Sequence, residues 1–389
     1  MSQYRFLIVV SLAASLLMVG VGMIVPLLPQ RMIALSGSMQ SVGYIASMFA
    51  LSYIIFQLPM GRMADRLGVK PFLVSGYILC FMSGLIFYYA ETPEMILLGR
   101  LIQGAGEAPV WALGPALLSL AYPDAKGRVI GIYNAAIHAG LTLGPLLGIC
   151  FFPSAASHLP FLIFAGLCLV AGMVTFQFLP ASASRAGVKQ EPGLRALLAL
   201  LRLRDPQLTL IGILLYGAAY GSFISVLPAY LVLFKGFDSR SVGVFFALFY
   251  VAISVSQLIA GPLSDRYGRT LFMLAGLGIA DIGIVLSVSL PHPWIYAPLT
   301  FASVGLGVFG VSSMAHLNES VPCSLKASVS AAYYLSWGIG FFAGPLVIGW
   351  VGEVLDPQSG YYFLALLMAG LGCVLGVNVI QLKKRVAVE

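Results

Sequence analysis

Long stretches without a charged residue constrain the fold of this chain more than any other feature. Residues 6–30 hold no Asp, Glu, Lys or Arg, and 129–184 holds none over more than twice that length. A helix needs roughly 20 residues to cross a ~30 Å hydrocarbon core. Backbone groups in lipid must be hydrogen-bonded within their own segment, so such runs are helical there. Further windows of this kind are 32–61, 71–90, 206–234, 241–264, 327–352 and 357–382.

The composition agrees with a chain whose main solvent is lipid. Hydrophobic residues make up 60% and charged residues 9%, whereas soluble chains carry about 25% charge. The first run is too long for the h-region of a signal peptide, about 7–15 residues, and we interpret it as the first span. The sequence predicts an all-α membrane protein with twelve transmembrane helices, near 6–30, 40–61, 71–90, 95–121, 129–151, 160–179, 207–233, 241–263, 271–290, 294–319, 328–351 and 361–382.

The basic residues predict the orientation. With the N-terminus inside, most of the 21 Lys and Arg residues fall in loops on one side, and Arg31, Lys235 and Arg240 fall on the other. Cytoplasmic loops carry the excess of Lys and Arg. We therefore expect a multi-pass protein of the cell (inner) membrane with both termini in the cytoplasm, and we expect a monomer. The net charge of +7 follows from this pattern and does not indicate nucleic acid.

Two short charged segments, 200 positions apart, are almost alike. They are GRMADRLG at 61–68 and GPLSDRYG at 261–268, and each lies between two apolar runs. This repeat predicts two pseudo-symmetric six-helix bundles, at 1–179 and 206–389, joined by a cytoplasmic linker at 180–205. Part of the linker, 194–203, fits either a basic amphipathic helix on the membrane surface or a simple tether.

The repeated segment predicts a conformational latch. Asp65 and Asp265 end even-numbered helices, and the starts of odd-numbered helices on the same face present unpaired N–H groups and a partial positive charge. We expect each Asp to reach a helix start in the opposite half, in one conformation only. An ordinary positive-inside turn would explain the basic residues but not the repeated spacing. The latch residues are Gly61, Asp65, Arg66, Gly68, Gly261, Asp265, Arg266 and Gly268.

Polar residues inside the fourth span predict a proton-coupling site. Arg100, Gln103 and Glu107 share one helix face, and Glu107 lies about 18 Å into the span. A charge at the bilayer centre costs at least ~2.5–3.5 kcal/mol, so we expect these residues to face the interior and to interact. The alternative is a static buried ion pair. Asp281 in the ninth span is either a second proton site or an interhelical hydrogen-bond partner.

Glycine–proline segments predict a gate or hinge. The fifth span holds Gly residues at i, i+4 and i+8 with a Pro, and the eleventh span repeats the Gly-Pro pair 200 positions on. Such a face lets another backbone approach, and Pro bends the helix. We expect this face at the interface between the halves; generic tight packing is the alternative. The residues are Gly140, Gly144, Pro145, Gly148, Gly340, Gly344 and Pro345.

Other polar and aromatic residues in the spans are candidates to line a substrate cavity, although residues of these types more often serve packing or simple hydrogen bonding. Aromatic rings suit a lipophilic or cationic ligand. The candidates are Tyr53, Gln103, Trp111, Asn134, His138, Tyr216, Tyr220, Gln257, His316, Tyr333 and Trp337. The sequence contains no phosphate-binding loop, metal-ligand spacing or catalytic triad, so we expect no cofactor, no metal and no enzyme activity.

Together, the segment at 61–70 with its copy, Arg100-x-x-Gln103-Gly104 and Gly140–Gly148 resemble the motifs of the Major Facilitator Superfamily, and the last is similar to its antiporter branch. The resemblance covers nearly the whole chain. It implies two six-helix bundles, a central cavity and alternating access by rocking. It also implies that Asp65 touches the start of the eleventh helix when the cytoplasmic side is closed, and that Arg100 works in proton coupling.

The expected function is proton-coupled efflux of a small amphiphilic or lipophilic organic molecule. The first span lacks the acid that many multidrug members carry there, so Glu107 is the candidate to replace it. A proton-coupled importer of a small nutrient is the first alternative. A membrane sensor or scaffold that keeps the fold without transport is the second.

Overall fold

The computed structural model describes residues 4–122, 126–152, 157–180, 202–321 and 326–386, with fourteen α-helices and no strand in those residues. The helices are α1 (Arg5–Ile24), α2 (Leu27–Ser36), α3 (Met39–Leu67), α4 (Val69–Tyr89), α5 (Pro93–Ala121), α6 (Lys126–Phe151), α7 (Leu159–Phe178), α8 (Arg204–Ile224), α9 (Val226–Lys235), α10 (Ser239–Tyr267), α11 (Arg269–Ser289), α12 (Tyr296–Glu319), α13 (Lys326–Val354) and α14 (Ser359–Val386). The predicted linker helix at 194–203 lies mostly outside the described residues.

The twelve predicted spans are present, and two of them are broken. The first span consists of α1 and α2, separated at Val25 and Pro26, and the seventh consists of α8 and α9. A proline has no N–H to donate to the preceding turn, which explains the break at Pro26. Within the residues that the structure describes, eleven helices are long and apolar enough to cross a membrane. Helix α5 is not among them because its polar residues lower its mean hydropathy.

The outer surface of these helices is strongly apolar. Leu258, Leu366 and Phe176 are 75%, 70% and 67% exposed. A soluble monomer rarely exposes apolar area on this scale, and a lipid bilayer covers it. The fold is therefore that of a multi-pass, all-α membrane protein, as the sequence predicts.

The internal repeat extends to helix boundaries and turns. Helices α3 and α4 start and end 200 residues before α10 and α11. The residues before α3 and α10 are both N-caps: Ser38 Oγ accepts from Ser41 N at 3.4 Å, and Asp238 Oδ1 accepts from Ser241 N at 2.8 Å. The hydrogen bonds from Ser241 also hold the pKa of Asp238 below its usual value. The two halves thus start these helices in the same way.

The charged repeat is mostly helix rather than turn. Helix α3 continues to Leu67 and α4 begins at Val69, so the chain reverses at Gly68 alone, and Gly268 does the same between α10 and α11. Their φ angles are 89° and 102°. Only glycine adopts this backbone region without strain. The charged residues of the motif are therefore helical, and only its last glycine forms the turn.

Contacts divide the chain into two compact units. The first comprises 1–191 with 227–233 and 237–247, and the second comprises the remainder. In the first unit α1 packs on α6 and α7, and α5 packs on α3 and α4. In the second, α11 packs on α12 and α14, and α8 packs on α13. The cores are closely filled with aromatic rings, such as Phe87, Phe161 and Phe164 in the first unit and Phe309 in the second.

Two of the three basic residues predicted on the less basic face cap helix ends. Arg31 Nη2 donates to the carbonyl oxygen of Ala90 at 2.5 Å, just after α4. Lys235 Nζ donates to the carbonyl oxygens of Val288 and Leu290 at 2.6 and 3.0 Å, at the end of α11. The last carbonyls of a helix have no partner within it and carry a partial negative charge. Each cation therefore has a structural partner within its own unit.

Candidate coupling site and conformational motifs

One face of α5 carries a continuous chain of buried polar side chains. Arg100 Nη1 donates to Gln103 Oε1 at 2.9 Å, and Gln103 Nε2 donates to Glu107 Oε1 at 2.8 Å. Trp111 Nε1 donates to the other oxygen, Glu107 Oε2, at 3.2 Å. Arg100 and Glu107 are each 3% exposed, and Gln103 is fully buried. The structure thus brings together the three residues that the sequence placed on one face and adds Trp111.

Helix α3 holds the guanidinium end of this chain. Arg100 Nε donates to the carbonyl oxygen of Ile45 at 3.1 Å, and Arg100 Cζ lies 4.5 Å from the centre of the Phe49 ring. A cation over an aromatic face is stabilised by the ring quadrupole. These contacts offset part of the desolvation of a buried charge. The sequence does not reveal them, because both partners lie on another helix.

Small residues set the depth of α5 against its neighbours. A Cβ on Gly104 would clash with the carbonyl oxygen of Phe49, and a Cβ on Gly106 would lie 2.7 Å from Cys80 Sγ. On α4, a Cβ on Gly76 would lie 2.5 Å from the carbonyl oxygen of Gly106. Gly104 and Gly106 lie between Gln103 and Glu107 in sequence. The backbone that carries the carboxylate is therefore held between α3 and α4 at close range.

The glycine–proline face of α6 packs on α1. A Cβ on Gly140 would lie 2.7 Å from the carbonyl oxygen of Ser15, and one on Gly144 would clash with that of Val19. A Cβ on Gly148 would meet nothing closer than Met23 Cγ at 3.7 Å. The expected partner was the opposite half, whereas these glycines make their close contacts with a helix of their own unit. The reason is that α1 also carries small residues where it meets α6.

Helix α13 repeats this packing against α8. Cβ atoms on Gly340 and Gly344 would clash with the backbone of Leu214 and Ala218. From the other side, a Cβ on Gly221 would lie 3.1 Å from Cγ of Pro345. The motif is therefore a close helix pair within each unit, and a gating role for it stays a prediction.

An ion cluster surrounds the second copy of the repeated segment. The carboxylate of Asp265 contacts the guanidinium of Arg269. Arg269 also reaches Glu319 Oε1 at 3.0 Å and donates to Ser264 Oγ at 2.7 Å. These residues and Gly268 line an open cleft of about 280 Å³. Glu319 is a member of this cluster that was not predicted, because its only signal in the sequence is an acid at the end of α12.

The remaining latch residues divide into two groups. Arg266 Cζ lies 5.4 Å from the ring centre of Tyr267. For Gly61, Asp65 and Arg66 the helical backbone is described, but the side chains of Asp65 and Arg66 lie outside the described part of the structure. The contact predicted between Asp65 and a helix start therefore stays a prediction.

Aromatic cavity candidates of the second unit form one cluster. The Tyr220 ring lies 5.2 Å from Phe249 and 5.9 Å from Trp337, and Trp337 lies 4.8 Å from Phe341. Tyr216 lies 6.1 Å from Tyr220. Edge-to-face and tilted arrangements at these distances are the favourable ones for aromatic pairs. Tyr220 and Trp337 keep part of their surface exposed.

Other candidates have different surroundings. His316 Nε2 donates to Asp205 Oδ2 at 3.0 Å, tying the end of α12 to the start of α8. Tyr53 is buried against Phe49. Within the described residues, Asp281 Oδ1 is buried and has no hydrogen-bond partner. Among the rest, Asn134 is exposed, and His138 and Gln257 are half-buried.

Known proteins place this chain in a family. The model of the Major Facilitator Superfamily matches residues 10–245 and 235–386. The tetracycline resistance protein, class G, of Vibrio anguillarum is 26% identical over 343 residues, covering 84% of this chain and 85% of the relative. Multidrug resistance protein 1 of Bacillus subtilis is 21% identical over 355 residues, covering 90% of each.

Solved structures agree on the fold. A mutant of the nucleoside transporter NupG superposes with a TM-score of 0.80 at 16% identity, covering 96% of this chain and 99% of that one. The motif resemblance is thereby confirmed, including its likeness to the drug:proton antiporter branch. The chain is a multi-pass membrane transporter rather than an enzyme, and it belongs to the Major Facilitator Superfamily.

Proposed function

We propose that this transporter exports a small amphiphilic or lipophilic organic molecule in exchange for protons, by alternating access. The observation that carries the proposal is the buried chain from Arg100 through Gln103 and Glu107 to Trp111. Relatives named for resistance to tetracycline and to multiple drugs support the direction of transport.

Donor chemistry decides where Glu107 takes a proton. Guanidinium and indole groups only donate, whereas an amide side chain both donates and accepts. Arg100 therefore requires the oxygen of Gln103 to face it, which turns the Gln103 N–H toward Glu107 Oε1. Both oxygens of Glu107 face a donor, but the bond from Trp111 to Oε2 is longer than the bond from Gln103 to Oε1, 3.2 against 2.8 Å. We therefore place the proton on Oε2, where it weakens the bond from the indole N–H and lets the indole shift.

This step links proton loading to the ligand-facing surface. Trp111 is half-buried, while Glu107 is almost fully buried. Movement of the indole changes the exposed apolar surface of α5 each time a proton enters or leaves. Trp111 is thereby the side chain through which the proton on Glu107 affects substrate binding. The aromatic cluster around Tyr220, within the second unit, is a separate candidate surface with ring faces suited to a lipophilic or cationic molecule.

The repeated motifs supply the conformational change in this proposal. The bundles 1–179 and 206–389 are the moving bodies, 180–205 is the linker, and both termini lie in the cytoplasm of a monomer in the inner membrane. Asp65 and Asp265 act as latches, and the close pairs of α6 with α1 and α13 with α8 act as gates. Asp281, with its buried unpaired oxygen, is a second proton site.

The test is gradient-driven flux of tetracycline, and of tetraphenylphosphonium as a lipophilic cation, in proteoliposomes with an imposed pH difference. Glu107→Gln should lose gradient-driven accumulation of the transported probe and keep downhill exchange, because the amide cannot carry a proton. The matched control is Glu94→Gln, an exposed acid at the start of the same helix. Full gradient-driven transport by Glu107→Gln would refute the coupling site, and uptake that consumes an inward proton gradient would establish an importer.

A further inference from the structure

A tyrosine of α6 reaches into the part of α5 that carries the coupling residues. The hydroxyl of Tyr133 donates to the carbonyl oxygen of Val110 at 2.8 Å, and its ring is fully buried. Gly114 makes the approach possible, since a Cβ there would clash with the Tyr133 hydroxyl. Val110 lies between Glu107 and Trp111 in the chain. The bond therefore acts on the turn that presents the carboxylate and the indole.

This turn of α5 is short of its own hydrogen bonds. Pro109 and Pro115 lie inside the helix. Each lacks the N–H that would bond to the carbonyl one turn earlier, at Ala105 and Trp111. Such a segment bends more readily than a regular helix. The hydroxyl of Tyr133 ties the weakened segment to α6 at one defined point.

The second unit contains the corresponding tyrosine bond but no carboxylate or indole beside it. The hydroxyl of Tyr333 on α13 donates to the carbonyl oxygen of Gly310 on α12 at 3.2 Å. Donor and acceptor both lie 200 positions after Tyr133 and Val110. The positions that correspond to Glu107 and Trp111 are Gly307 and Val311. The repeat thus preserves the tie and lacks the carboxylate and the indole.

We infer that Tyr133 is a positioning residue for the Glu107–Trp111 pair, acting through its hydroxyl bond to Val110. The inference rests on the proposed function in one respect, that Glu107 is the proton site. The role is one of positioning, because the Tyr133 hydroxyl acts on Glu107 and Trp111 through the backbone at Val110. It holds the turn in the shape in which the indole N–H can meet Glu107 Oε2, the longest of the three bonds in the chain at 3.2 Å.

The test reads Trp111 directly and needs no substrate. The chain has four tryptophans, so replacing Trp294, Trp337 and Trp350 by Phe leaves Trp111 as the only indole. The full-length protein in detergent is titrated, and Trp111 emission is followed against pH. A transition that Glu107→Gln abolishes reports the proton on Glu107.

Tyr133→Phe removes one oxygen and should move that transition to higher pH by about half to one pH unit, the effect of one weakened hydrogen bond to the charged form. Tyr333→Phe is the matched control and should leave the midpoint unchanged while lowering the melting temperature by a similar amount.

An unchanged midpoint in Tyr133→Phe, or equal shifts in both variants, would overturn the positioning role. No gradient-driven transport of either probe by the protein with all four tryptophans, together with an intact shift, would refute the proposed function alone. No Glu107-dependent transition in the parent would refute both.

Discussion

Gln103 affects protein stability and proton coupling in different ways. It satisfies a cation on one side and a carboxylate on the other, and all three side chains are buried. An interrupted buried network leaves charged groups without partners, which is more destabilising than replacing the whole network by apolar groups of similar volume. The fold should therefore be stable with the complete Arg100–Gln103–Glu107 network or with apolar residues at all three positions. Transport requires the complete network.

Gln103→Leu should be more harmful than a complete replacement. It leaves the facing atoms of Arg100 and Glu107 without their shared partner, and we expect a loss of about 3–5 kcal/mol in the free energy of unfolding. The triple variant with Met, Leu and Met at positions 100, 103 and 107 should recover most of that loss and still lack gradient-driven transport. Melting temperatures in detergent and proteoliposome flux measure the two effects. A triple variant less stable than Gln103→Leu would contradict this account of the network.

At the scale of the element, α5 shows how polar chemistry is carried through a membrane. Among the described helices of at least 18 residues, it is the one whose hydropathy falls short of that of a membrane span, and it is held on two sides by neighbours at backbone contact. Small residues provide these contacts in place of a hydrophobic driving force, which lipid does not supply between helices. The same device positions α6 on α1 and α13 on α8.

Gly144→Ala should destabilise the protein, because its Cβ would clash with the carbonyl oxygen of Val19 and the backbone of α1 has to move. Overpacking of this kind costs about 1–3 kcal/mol. Gly148→Ala, one turn further along the same face, meets Met23 only at ordinary van der Waals distances of 3.7 Å and more. It should be neutral or stabilising by up to about 1 kcal/mol, since Ala favours helix more than Gly. Equal melting temperatures for the two variants would show that this helix pair is loosely packed.

The helices could be predicted from sequence because membrane spans follow from length and missing charge, and the polar face of α5 followed from spacing along one helix. Partners on other helices could not be predicted in this way. The cation–π contact of Arg100 with Phe49, the pairing of His316 with Asp205 and the close contact of Gly140 with α1 each join residues distant in the chain. Periodicity indicates which face is polar or small, and the tertiary arrangement decides what that face meets.

At the scale of the whole molecule, the two repeats have the same frame and different charges. Asp265 contacts Arg269, which also binds Glu319. The residue that corresponds to Arg269 in the first repeat is Val69. The second carboxylate is therefore paired within its own unit, while the sequence gives the first no arginine at that position. We expect the two latches to contribute unequally.

Asp65→Asn should shift the ratio of the two access states by about tenfold, corresponding to the loss of about 1.4 kcal/mol of a charge-assisted contact made in one state. Asp265→Asn should shift this ratio less and lower the melting temperature instead. The measurement is labelling of single engineered cysteines near each end of the spans, from both sides of the membrane. Unchanged labelling in Asp65→Asn would remove the latch from the proposed mechanism.

The two helix-end cations, Arg31 and Lys235, bear on how the chain is made. During synthesis α2 leaves the ribosome before α4 exists, so Arg31 must wait for its carbonyl partner at Ala90 until about sixty later residues have emerged. In the proposed topology, with both termini in the cytoplasm, it waits on the side that basic residues normally avoid. Replacing Arg31 or Lys235 by Gln should therefore favour correct insertion into the membrane and lower the stability of the folded protein. At these two side chains, the requirements of membrane insertion and of stability oppose each other.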